Sequence, residues 1–217
     1  MNNALTIDVE DYFHVTAFEK AVRREDWDGY PTRVEHNTYR ILDILDSYSV
    51  KATFFVLGWV AGKAPILVKE IGKRGHEIAC HGYGHELVYH IGPRRFRSDI
   101  KKSKMLLEDI IGDRVNGYRA PSYSITSNSL WALDILIEEG FLYDSSIFPV
   151  KHDIYGIHNA VRFPHEIKRS SGKIKEFPLT TFNLSFDLMR EPYCVMNTVY
   201  IMFYRKDTRI IEKSFLN

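Results

Sequence analysis

Apolar positions along this chain form short β-like runs separated by stretches with helical spacing. "ALTIDV" (4–9) reads as a strand, and "ATFFVLG" (52–58) is the continuous apolar run that a strand covered on both faces requires. Between them, Ile41, Ile44, Leu45 and Tyr48 follow the i, i+3, i+4, i+7 spacing of a core-facing helix stripe. Ala64, Leu67, Val68 and Ile71 repeat that spacing, Gly75 follows as a stop, and "HEIAC" (76–80) is the next strand. Ile100, Leu107 and Ile111 carry a further helix, after which "NGYRAP" (116–121) is a short strand ending at a proline. Ser127 or Ser129 is placed to cap the helix "LWALDILIEE", Gly140 closes it, and "FLYDSS" (141–146) is another strand. Four or five βα units in succession predict a parallel α/β fold. No repeat or linker divides it, and after about residue 180 the pattern loosens.

Polar residues able to do chemistry gather at one place in this scheme. Asp8, His81, Arg119 and Asp144 fall at or just after the C-terminal ends of predicted strands. That rim is where parallel α/β folds and barrels assemble their sites. His81 and His85, in "CHGYGHE" (80–86), are four apart and can share a metal from a single turn or loop. Gly82 and Gly84 argue against a long helix there. Alone the spacing is weak, since two satisfied polar histidines produce it more often than a metal site does. Carboxylates at another strand end change that balance. "DVED" supplies Asp8, Glu10 and Asp11; Asp8 and Glu10 point to the same side of an extended strand, whereas a bulge would bring Asp11 inward. Two histidines and a carboxylate with open positions suit catalytic zinc, iron, cobalt or manganese. Arg119, in "YRAP", adds a guanidinium that can orient a carboxylate. Asp144, in "YDSS", also fits a turn or capping role.

Together "TIDVEDYF", "ATFFVLGWVA", "GHEIACHGYGHE", "GYRAPSYSI" and "YDSSIFP" resemble, in order, the motifs of the NodB-homology polysaccharide deacetylases, carbohydrate esterase family 4. The likeness is strongest to the branch associated with exopolysaccharide and exosortase loci, and covers residues 4–180. It implies a distorted (β/α)7 barrel, with the deacetylase domain at 1–180 and a divergent segment at 181–217 packed on it. By resemblance Asp8 is the catalytic base, Arg119 orients it, and His81 and His85 are metal ligands. Most members have adjacent aspartates, but Val9 follows Asp8 here. Relatives with Asp-x-Asp spacing favour Glu10 as the third ligand, with Asp11 as the second choice. The implied reaction is metal-assisted removal of acetyl groups from an N-acetylated polysaccharide or oligosaccharide. Zinc is the first choice of ion, with cobalt, iron, nickel or manganese as alternatives. A backbone N–H near Ser122 or Tyr123 would stabilise the oxyanion, and Asp144 is grouped with these substrate-facing residues. The family takes its general acid from a histidine in a C-terminal motif. Here the last histidine is His165, and 52 residues follow it. His165, His152 and His158 are the available substitutes. This departure keeps two other readings open: a catalytically impaired carbohydrate-binding homologue, and a hydrolase of small non-peptide amides.

Composition narrows the partners. The 217 residues, 45% apolar and 26% charged, suffice for one domain with a full core. A net charge of +1 points to no nucleic-acid partner, and the basic clusters at Arg94–Arg97 and Lys101–Lys104 read as solvated faces. Cys80 and Cys194 form no disulfide framework. No stretch reaches the ~18 apolar residues of a membrane span. No signal-peptide pattern precedes "ALTIDVEDYF", so the expected location is cytoplasmic.

Overall fold

A computed structural model describes residues 4–181 and the backbone of residues 201–202. Most of the segment expected at 181–217, Cys194 included, lies outside the described residues. Strand β1 (Ala4–Val9) pairs in parallel with β2 (Thr53–Val56), and β2 with β3 (Glu77–Cys80). The parallel set continues through β4 (Gly117–Tyr118) and β5 (Tyr143–Asp144) to β7 (Gly172–Glu176). Antiparallel strands flank it: β6 (His165–Arg169) against β7 and β8 (Ile201–Met202) against β1. Between consecutive parallel strands run α1 (Val34–Ser47), α2 (Gly58–Lys63) with α3 (Pro65–Lys73), α4 (Val88–Ile111) and α5 (Trp131–Glu138). This is the distorted α/β barrel expected from the alternating pattern.

The apolar runs go where their period directs them. Phe54, Phe55 and Val56 of β2 are buried on both faces, as a strand covered on both sides must be. Ala64, Leu67, Val68 and Ile71 are all buried, and Gly75 closes α3 with a left-handed φ of 78° that its lack of a Cβ makes easy. Two local expectations are corrected. Helix α1 buries Val34, Thr38, Leu42 and Leu45, whereas Ile44 and Tyr48 are 56% and 57% exposed. Two stripes of nearly equal apolar content lie side by side on that helix, and the earlier start at Val34 selects the other one. Ser129 does not cap α5. Its hydroxyl accepts from the Thr126 amide and donates to the Ser124 carbonyl, so it closes the preceding turn instead.

Register carries this pattern to the site. Val56 pairs with Cys80, Cys80 with Tyr118, Tyr118 with Asp144, and Asp144 with Glu176. The strands therefore release their chains at a common rim. Among the described residues no helix is long and apolar enough to cross a membrane.

Candidate metal centre and catalytic site

The histidine-bearing turn after β3 is neither helical nor loose. Gly82 and His85 adopt φ of 72° and 50°, a region that costs a non-glycine residue strain unless neighbours impose it. The neighbours are specific. Asp99 of α4 accepts the Tyr83 and Gly84 amides at 2.8 and 3.2 Å. Ser103 donates to the Gly82 carbonyl, as does the Gly58 amide at the start of α2. A Cβ on Gly82 would come within 2.9 Å of the Asp99 carboxylate, so glycine is needed both for its φ and for this approach.

This turn presents both imidazoles to Glu10. Donor atoms of Glu10, His81 and His85 lie within 4.8 Å of one another. His85 Nε2 approaches Glu10 Oε2 to 2.8 Å without the alignment of a hydrogen bond. Nδ1 of His81 faces the Arg119 carbonyl at 2.8 Å, which fixes that nitrogen as the donor and leaves Nε2 with a lone pair for a cation. Ligands about 2.0–2.2 Å from one ion stand roughly 3 Å apart, so this donor set fits a divalent metal. Burial pushes the Glu10 carboxyl up, but the neighbouring imidazoles, His85 foremost, outweigh it and hold the group at about 2. Burial holds His81 below the ordinary imidazole value, whereas at His85 Glu10 overcomes burial and raises it. The cluster thus draws positive charge to the point between Glu10 and His85.

Asp11, the other carboxylate considered for this set, is engaged elsewhere. Its oxygens accept the amides of Tyr12, Arg33 and Val34, so it caps both the 3₁₀ turn Tyr12–His14 and the start of α1. Asp8 meets Arg119 at 2.7 Å. Arg119 is fully buried and donates also to the Ser145 carbonyl, Ser145 Oγ and Thr6 Oγ1, with its guanidinium 4.0 Å from the Phe55 ring centroid. Through its side chain it holds Asp8, and through its carbonyl it holds His81.

A polysaccharide deacetylase family profile matches residues 27–136, just over half of the chain. The chain belongs to that family. A second profile, a domain of unknown function, matches residues 145–192. A peptidoglycan deacetylase-like protein of Gibberella zeae is 36% identical over 110 residues, covering 50% of this chain and 32% of its own length. A peptidoglycan-N-acetylglucosamine deacetylase of Bacillus cereus is 38% identical over 98 residues, covering 45% and 36%. The chain thus spans about a third of the length of these curated relatives. A solved polysaccharide deacetylase homologue from Mycobacterium smegmatis superposes with a TM-score of 0.65 at 29% identity, covering 82% of this chain and 58% of that one. The barrel is of the NodB type that such deacetylases share.

Within this deacetylase fold, Asp144 does not face substrate. It is fully buried and accepts from Ser146 Oγ at 2.5 Å, while its Oδ2 and the Oε2 of Glu176, its register partner on β7, meet no other donor. Glu176 is equally buried and accepts the Ile147 amide. Two carboxyls share a hydrogen bond only when one carries a proton. Burial accordingly pushes Asp144 up to about 6 and Glu176 well above its usual range. The native pair holds a proton that the unfolded chain releases near pH 4. Its stabilising contribution is therefore complete at low pH and is lost as pH rises from about 4 through 6 and beyond. Glu176→Gln keeps a donor for Asp144 without the titration. Relative to wild type it should gain stability in urea unfolding as pH rises from 4.5 to 8. Parallel pH profiles for the two proteins would exclude a shared proton.

Other expected site residues are placed as follows. The Tyr123 amide donates to the Ala120 carbonyl, so it serves the turn and not an oxyanion; Ser122 has φ of 48° and its hydroxyl bonds Thr16 Oγ1. His152 stacks on Tyr155 with centroids 3.9 Å apart, and His165 Nδ1 faces the Phe163 carbonyl. His14 was not anticipated. It is buried against Phe13, Trp27 and Trp59, accepts the Asp11 amide on Nδ1, and is held down at about 4 by that burial. The spacing Asp11-x-x-His14 of a capping box was its only signal in the sequence.

Proposed function

We propose that this chain hydrolyses N-acetyl groups on an N-acetylglucosamine-containing polysaccharide or oligosaccharide, with residues 1–180 as the catalytic unit. The observation that carries this is the joining of two half-sites at Arg119: its side chain grips Asp8 while its carbonyl fixes His81 beside Glu10 and His85. Glu10, His81 and His85 would hold a divalent cation, zinc by the match of nitrogen and carboxylate donors. When bound, such an ion supplies Lewis acidity toward an amide oxygen and lowers the pKa of water. Asp8 Oδ1 is held by Arg119, so its carboxylate is oriented to take a proton from the attacking water. The same proton can then pass from Asp8 to the leaving amine. The relative's name supports an N-acetylglucosamine substrate over a small amide. The test is acetate release from N-acetylglucosamine oligomers by zinc-loaded protein. Activity should vanish with chelator and return with zinc. Metal-replete protein that binds the oligomers but releases no acetate would support the impaired, carbohydrate-binding reading instead.

A further inference from the structure

The left-handed backbone of His85 is secured from a second side, by a residue outside every motif considered above. Arg24 begins the 3₁₀ segment Arg24–Gly29, in the connection between β1 and α1. Its Nε donates to the Gly84 carbonyl at 2.8 Å and its Nη2 to the His85 carbonyl at 3.4 Å. The same guanidinium is braced by Glu19 at 3.2 Å and Glu86 at 3.8 Å, and Glu86 is in turn paired with Arg95. Asp99 holds the amides of Tyr83 and Gly84, so Gly84 is gripped at its N–H by one charged side chain and at its C=O by another. Trp27, three residues on, is buried against His14 and Trp59 and anchors the segment.

We propose that Arg24 is a positioning residue for the metal ligand His85, its guanidinium fixing the Gly84 and His85 carbonyls so that Nε2 stays directed at Glu10. The planar fork reaches two carbonyls at once, which a lysine ammonium on a flexible stem does not reproduce. Residues that orient a ligand in this way set metal affinity without touching the ion. The inference rests on the proposed metal site, and its test separates the two.

Cobalt and zinc binding to the folded chain would be measured for wild type, Arg24→Ala, Arg24→Lys and the control Arg23→Ala. Arg23 pairs with Asp26 on the surface, at 75% side-chain exposure. Arg24→Ala should weaken zinc binding by about 10–100-fold and alter the cobalt visible spectrum, with Arg24→Lys intermediate and Arg23→Ala like wild type. Melting of the metal-free proteins reports any general destabilisation. If Arg24→Ala lowers only that melting temperature and leaves affinity and spectrum unchanged, the positioning role is overturned while the metal site stands. If wild type binds neither ion, both fall.

Discussion

Replacing Arg119 with methionine is expected to destabilise the fold by about 3–5 kcal/mol, because it leaves a carboxylate and a carbonyl without their buried partner. The side chain is fully buried and makes four hydrogen bonds, to Asp8, Thr6, and the carbonyl and hydroxyl of Ser145. Methionine retains the apolar stem over Phe55, so lost volume is a small part of the effect. The cost should fall chiefly on Asp8, whose side chain is only 8% exposed. Urea unfolding of Arg119→Met and of the double variant Asp8→Asn/Arg119→Met checks this. The double variant should recover part of the loss, since it also removes the unpaired charge. A double variant no more stable than the single one would show that packing, not the orphaned carboxylate, sets the cost.

For Asp8→Asn the expected result is a fall of about 10²–10⁴-fold in acetate release, the usual contribution of a positioned general base. Asparagine still offers an oxygen to Arg119, so His81 and the metal cluster should keep their places. The loss should therefore appear in kcat, with KM and bound zinc close to wild type. Metal content and turnover measured on the same preparation decide it. Turnover within a few-fold of wild type would remove Asp8 from the base role.

Much of this site was legible because its parts lie at strand ends and are close in sequence. Asp8 near the end of β1 and Glu10 just past it are two apart, and His81 and His85 leave β3 on one short turn, so spacing raised these candidates and the ordered family motifs gave them roles. The sequence preferred Glu10 to Asp11 as a ligand, but what engages Asp11 was not legible. It depends on the start of α1, 22 residues beyond Asp11, whose amides claim that carboxylate. Asp144 was misjudged for a similar reason: its partner Glu176 comes from a strand 32 positions later, and only register pairs them. The stripe of α1 went wrong where two apolar faces compete on one helix and only the sheet decides which is covered. His14 and Arg24 belong to short 3₁₀ segments, too brief for a period to mark the inward side.

The order of the first three strands bears on how an ion at the proposed site would be captured. Glu10 and His81 lie 71 positions apart, and β1 and β3 do not pair directly but through β2. Closing so long a loop costs entropy that one early ligand contact does not offset. An ion at this site would therefore not template a local nucleus, as it does in small zinc modules whose ligands are neighbours. Capture would become possible only after the three strands have assembled, so uptake of cobalt or zinc during refolding would be a late clock of barrel closure.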